Sequence, residues 1–187
     1  MKRLAIFASG GGTNADRICD FFSNHPQIRA ELLLCNKPDV GAWAVAKKHG
    51  LPTEFIEKER FFRGDAYLTL LQAHKIDWLI LAGFLWKMPK QLVSAYPQNI
   101  LNIHPALLPK YGGKGMYGNN VHQSVIDAKE LLSGITIHFV DEQYDHGTHL
   151  LQATCPVLAT DTVSSLSARI HALEYRYYPQ VIEAVCG

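Results

Sequence analysis

The sequence is short of the features that mark several protein classes. Its four cysteines, Cys19, Cys35, Cys155 and Cys186, are far apart and make no C-x-x-C pair. That argues against a disulfide framework and fits reduced thiols in the cytoplasm. Neither sign of charge is in surplus: 18 Lys and Arg stand against 17 Asp and Glu, a formal net charge of +1. No basic excess is there to grip nucleic acid or an anionic membrane non-specifically. No apolar run approaches the roughly 20 residues of a membrane span. The opening Met1-Lys-Arg-Leu-Ala-Ile-Phe-Ala is basic then apolar, like a short signal peptide, but it runs straight into Ser9-Gly10-Gly11-Gly12. A first β-strand is the better reading. Internal repeats, low-complexity tracts and linkers are missing too. What remains is 187 residues, 48% hydrophobic and 19% charged. The expectation is a soluble, cytoplasmic, single-domain protein spanning 1–187.

Apolar runs of strand length alternate with amphipathic stretches of helix length. Strands are expected at Leu4–Ala8, Glu31–Cys35, Thr53–Ile56, Trp78–Leu81, Asn99–His104, Ile135–Val140 and Leu150–Val157. Trp78–Leu81 is apolar without alternation, as a parallel strand covered on both faces requires. Helices are expected at Asn14–Phe22, Gly41–His49, Phe61–His74, Asn120–Asp127 and Val163–Val185. In the last, Val163, Leu166, Ile170, Leu173 and Tyr177 recur at spacings of three and four, one apolar stripe. The pattern predicts an α/β, doubly wound, mostly parallel Rossmann-like sheet with helices on both faces. Pro109–Asn120, with four glycines in twelve residues, is the one loop-rich stretch.

Ligands of open α/β sheets bind beyond the carboxyl ends of the strands. Three polar groupings fall there. Ser9-Gly10-Gly11-Gly12-Thr13-Asn14 follows the first strand and opens a helix, the order an anion site needs. It matches neither the dinucleotide fingerprint nor the Walker pattern. The plainer reading is a tight turn with Thr13 as N-cap and Asp16 as its capping partner. In Asn99-Ile-Leu-Asn-Ile-His-Pro105, Asn102 and His104 share a strand face about 7 Å apart at Cα, and Pro105 ends the ladder. An imidazole can take an amine proton and a carboxamide N–H can steady an oxyanion; a hydrogen-bonded strand-end pair without chemistry is the alternative. The third, His138-Phe-Val-Asp-Glu-Gln-Tyr-Asp145-His146-Gly147, runs from a strand into an acidic loop. A carboxylate there could orient His104, whereas Asp141 and Glu142 read better as a solvated turn. Asp145, His146, His149 and His138 match no strong zinc spacing, so no metal is expected. His171, Glu174 and Tyr178 share one face of the last helix.

Gly11-Gly12-Thr13-Asn14, Ala82-Gly83-Phe84, Leu101-Asn-Ile-His-Pro-Ala-Leu-Leu-Pro-Lys-Tyr111, Thr136-Ile-His-Phe-Val140, Asp145-x-Gly147 and Gln152 together resemble folate-dependent formyltransferases over essentially the whole chain. Within that group the glycine-rich start is similar to the phosphoribosylglycinamide enzymes. The resemblance implies formyl transfer from 10-formyltetrahydrofolate to the amine of N1-(5-phospho-D-ribosyl)glycinamide in purine synthesis. It assigns Asn102 as oxyanion partner, His104 as proton-transfer group and Asp145 as the carboxylate that favours the imidazolium. It assigns Gly12, Thr13, Asn14 and Glu174 to the phosphoribosyl acceptor. Leu85, Trp86, Lys87, Met88, Asn102, Val140 and Asp141 fall to the folate, with Arg63 standing in for an Arg that has no secure counterpart.

Asp145-His146-Gly147-Thr148 replaces a common Asp-Gly-Gly-Pro, and Gly113–Gly118 is longer than in some relatives and could form a lid. The partners implied are these small molecules, without nucleic acid, membrane or metal, in a monomer or homodimer. Three further readings stay open: a formyltetrahydrofolate hydrolase, a formyltransferase acting on another phosphorylated amine, and a non-catalytic phosphate- or folate-binding module.

Overall fold

The computed structural model describes residues 1–187. In chain order the elements are β1 (Lys2–Ala8), α1 (Thr13–Phe22), β2 (Ile28–Cys35), α2 (Gly41–Lys48), β3 (Thr53–Phe55), α3 (Lys58–Arg63) and α4 (Leu68–Ala73). There follow β4 (Trp78–Leu81), α5 (Lys90–Ala95), β5 (Ile100–His104), α6 (Asn119–Asp127), β6 (Leu132–Phe139), β7 (His149–Pro156) and α7 (Val163–Cys186). The strands form one seven-stranded sheet in the order β3-β2-β1-β4-β5-β6-β7. Pairings from β3 through β5 are parallel, and β5–β6 and β6–β7 are antiparallel. The chain winds outward from β1 to β3 and then returns to place β4 on the other side of β1. That reversal opens a crevice beyond the carboxyl ends of β1 and β4.

Both faces of the sheet are covered, which is why its central strands carry almost unbroken apolar runs. On one face Leu4, Ile6, Ile80, Leu101 and Ile103 pack with Ile18, Phe22, Leu166, Ile170 and Ile182 of α1 and α7. On the other, Ala5, Phe7, Leu79 and Ile100 meet Phe61, Tyr67, Leu71 and Leu92. Alternation along β5 sends Leu101 and Ile103 into the first core, so Asn102 and His104 belong to the opposite side.

Three local expectations need correction. The helix expected over Phe61–His74 is two short ones, α3 and α4. Gly64 closes α3, and Tyr67, at φ 64°, enters α4 from a left-handed conformation. The Asp65 carboxylate accepts from the Tyr67 backbone N–H and from Arg60, which fixes the break. Thr13 is the first residue of α1 rather than its cap. The cap position is Gly12, left-handed at φ 76°, with no side-chain cap bond, and Asp16 is held instead by Lys48 and His49. Finally, Tyr178 is fully buried and donates its hydroxyl to the Leu81 and Leu101 carbonyls, 3.0 and 3.1 Å away. It clamps α7 to the sheet and shows nothing to a ligand. Helix α5 had no counterpart in the sequence pattern.

Candidate active site

Beyond β1, β4 and β5 lies a cleft of about 590 Å³. One part of its wall is the glycine turn Gly10–Gly12 with Thr13 and Asn14, where α1 starts and its first N–H groups have no intrahelical partner. The backbone there is packed tightly. Ala42 at the start of α2 donates its N–H to the Gly10 carbonyl at 3.1 Å, and a Cβ on Gly41 would sit 2.5 Å from the Gly11 oxygen. Glycine at 41 therefore lets α2 brace the turn from behind. Lys37 adds a cation to the same wall. On α7, Glu174 is 5% exposed, and its Oε2 accepts from Asn14 Nδ2 and from the His171 ring at Nδ1, both at 2.9 Å. That carboxylate holds the His171 pKa above its ordinary value.

At the middle of the cleft β5 delivers Asn102 and His104, and the loop before β7 delivers Asp145. His104 is buried; its Nε2 lies 2.7 Å from the Tyr111 carbonyl and its Nδ1 3.6 Å from Asp145 Oδ1. Nε2 faces a carbonyl that can only accept and so carries a hydrogen, while Nδ1 is turned toward the Asp145 carboxylate. The other Asp145 oxygen accepts from the Gly113 N–H at 2.8 Å. The glycine-rich segment after β5 thus touches both members of the pair.

Asn102 is oriented by a residue that sequence reading had considered only as a metal ligand. His138 Nδ1 lies 2.8 Å from the Phe139 carbonyl, so that nitrogen carries the proton and Nε2 accepts. Nε2 in turn lies 3.1 Å from Asn102 Nδ2, which fixes the amide with its NH₂ toward His138. The second amide hydrogen reaches Asp145 Oδ1 only at 3.5 Å, leaving it available. Burial pushes the His138 pKa below its ordinary value, consistent with a neutral ring. His146 instead pairs with Asp141 at the surface.

A second, smaller hollow of about 50 Å³ shares Asn102 and Asp145 with the cleft. Trp86, Lys87, Met88, Val140 and Asp141 line it, so the structure gathers most of the residues the resemblance assigned to folate. Leu85 lines the main cleft, and its N–H donates to Ser9 Oγ at 3.0 Å. Ser9 also donates its own N–H to the Gly83 carbonyl at 3.2 Å. Arg63 lines neither compartment: its side chain is 82% exposed at the end of α3, beside Glu59. Phe62, next to it, packs against Trp86. Asp16, Asp20 and His49 form the one grouping with metal-ligand spacing, and Lys48 already pairs with both of its carboxylates.

The Tyr111 carbonyl, Lys37 and His122 went unnoticed in the sequence. A carbonyl has no side-chain signature, and the other two carry no motif.

The formyl transferase family matches residues 2–182. The chain is 40% identical over 192 residues to a chloroplastic phosphoribosylglycinamide formyltransferase of Arabidopsis thaliana, covering 99% of this chain and 65% of that protein's length. It is 32% identical to the phosphoribosylglycinamide formyltransferase of Bacillus subtilis, covering 100% of this chain and 96% of that one. Glycinamide ribonucleotide transformylase 1 of Symbiobacterium toebii superposes with a TM-score of 0.90 at 31% identity, over 100% of this chain and 88% of that one. No helix is long and apolar enough to cross a membrane. The chain belongs to the formyl transferase family, in the branch of the phosphoribosylglycinamide formyltransferases.

Proposed function

We propose that the protein transfers the formyl group of 10-formyltetrahydrofolate to the amine of N1-(5-phospho-D-ribosyl)glycinamide, a step of de novo purine synthesis. One observation carries this reading. The polar cleft that begins at the glycine turn and the start of α1 and the hollow lined by Trp86 and Met88 share Asn102 and Asp145. Two ligands entering from opposite ends would meet at those side chains, beside His104. Such juxtaposition is worth many orders of magnitude in rate for a two-substrate reaction.

In this reading Gly12, Thr13 and Asn14 hold the acceptor's phosphate and Glu174 its ribosyl group. The folate supplies the formyl carbon, held by the backbone of Leu85, Trp86, Lys87 and Met88 with Val140 and Asp141. The acceptor amine attacks that carbon directly, forming the new C–N bond without a metal or a covalent enzyme intermediate. The free Asn102 N–H and the protonated His104 ring take up the charge on the carbonyl oxygen. Asp145 keeps the ring oriented and paired while the amine proton passes to the departing folate nitrogen. Four free, buried cysteines suit a reducing compartment such as the cytoplasm.

The test is consumption of 10-formyltetrahydrofolate by the folded protein against a panel of acceptors. Turnover dependent on the phosphoribosyl amine is expected. Loss of the formyl group to water alone would favour a hydrolase, a reaction that has no use for a phosphate turn. No turnover with this acceptor would overturn the proposal.

A further inference from the structure

On the acceptor side of the cleft, one side chain has no task in the scheme above. His122, one turn into α6, is 2% exposed and lines the cavity, and its Nδ1 is enclosed without a hydrogen-bond partner. An enclosed N–H with no acceptor is more costly than an enclosed lone pair, so the favoured neutral ring carries its hydrogen on Nε2. Nε2 is not among the enclosed, unpaired atoms and is the nitrogen left to face the cleft. Burial holds the ring neutral, and the charges of Glu174, His171 and His104 all act on it, so it sits among them. Glu174 offers the complementary group. Its Oε2 is taken by Asn14 and His171, while Oε1 makes no bond.

A donor and an acceptor that both face one cavity are what a hydroxyl group satisfies, since it gives one hydrogen bond and receives another. We propose that His122 donates Nε2–H to a ribose hydroxyl whose proton is accepted by Glu174, which makes His122 a specificity residue for ribosyl over deoxyribosyl acceptors. The inference rests on the acceptor assigned above. It adds a second hydrogen bond to the one the carboxylate makes, and a site built around a hydroxyl leaves its own groups unpaired when that hydroxyl is missing.

Titration calorimetry separates the two ideas, because it needs binding and not turnover. The ligands are N1-(5-phospho-D-ribosyl)glycinamide and its 2′-deoxy and 3′-deoxy ribosyl analogues. The proteins are wild type, His122→Phe and His122→Gln. Wild type is expected to bind one of the deoxy analogues about a hundredfold more weakly than the ribonucleotide, the worth of two hydrogen bonds. His122→Phe, which keeps ring volume, should bind the ribonucleotide about tenfold more weakly and cut that discrimination to about tenfold, the share left to Glu174. His122→Gln retains an N–H donor and should recover part of it, with unchanged thermal midpoints excluding a folding defect. Full discrimination in His122→Phe, or undiminished ribonucleotide affinity, would overturn the inference and leave the reaction untouched. Hydroxyl discrimination in a wild type that fails to transfer formyl would do the reverse.

Discussion

The imidazole Nε2 of His104 stands 2.7 Å from the main-chain oxygen of Tyr111, seven residues further along the chain. A carbonyl accepts and never donates, so this contact decides which ring nitrogen keeps its hydrogen. It leaves Nδ1 to Asp145, whose other oxygen is anchored by Gly113. The catalytic proposal therefore depends on backbone atoms of the segment that follows β5.

Asp145 itself sits at φ 52°, a conformation that Asn tolerates better than other non-glycine residues. Asp145→Asn should therefore fold with a nearly unchanged thermal midpoint and lose kcat by about 10²–10⁴-fold. His104→Asn should lose a similar factor. Because the two act as a unit, the double variant should lose far less than the product of the single losses. Fully multiplicative losses would show independent roles.

His138 should matter through Asn102 rather than by touching a substrate. His138→Phe frees the amide to turn and is expected to lower kcat by on the order of 10²-fold, as a misplaced reacting group does, while both KM values change little. His138→Gln keeps an acceptor and should restore part of the rate. Steady-state kinetics on the pair decides it; an unchanged kcat in His138→Phe would remove His138 from the site.

Bracing of the glycine turn is open to a one-carbon test. A Cβ at position 41 would meet the Gly11 oxygen at 2.5 Å, a backbone atom that can yield only if the turn shifts. Gly41→Ala should raise the acceptor KM on the order of tenfold, the worth of about one lost hydrogen bond, with the folate KM nearly constant. Equal changes in both KM values would mean general damage to the fold. Glu174→Ala should act on the same parameter, because its carboxylate holds Asn14 in place.

Stability should fall on mild acidification, and the responsible groups can be named. Burial pushes the pKa of both His122 and His138 below the ordinary 6.5. Between the lowered folded value and 6.5 the unfolded chain binds protons that the native state refuses, so stability rises with pH in that window. The contribution is complete above about 6.5 and is lost as pH falls through the folded values. His171, held up by Glu174, works in the opposite sense and loses its contribution as pH rises through its folded value. Calorimetric melting between pH 7 and pH 5 should show a falling midpoint, and His122→Phe should flatten the fall. A midpoint independent of pH in wild type would contradict the buried neutral rings.

The parallel core was legible because strands covered on both faces have to be apolar throughout, and Trp78–Leu81 could be little else. Asn102, His104 and the glycine turn were legible because strand periodicity and the Pro105 stop place polar residues at strand ends. Short elements were not. Helix α5, six residues long, is too brief for periodicity to register. The break at Gly64–Tyr67 depends on an Asp65 side chain capturing a backbone N–H. Tyr178 was misread because spacing along a helix gives the angle of a residue and not the depth of what covers it. The role of His138 was hidden for a related reason: β5 and β6 pair antiparallel, with Asn102 opposite His138. That register cannot be seen from either strand alone.

Ser9 ties the start of one ligand's compartment to the start of the other's. Its N–H holds Gly83, its hydroxyl oxygen receives the Leu85 N–H, and the glycine turn begins at the next residue. Occupancy at either end therefore bears on the same few peptide units. Free energy spent ordering them for one ligand is not spent again for the second. If the two proposed ligands bind there, linkage makes the effect mutual, and each would tighten the other by the same factor.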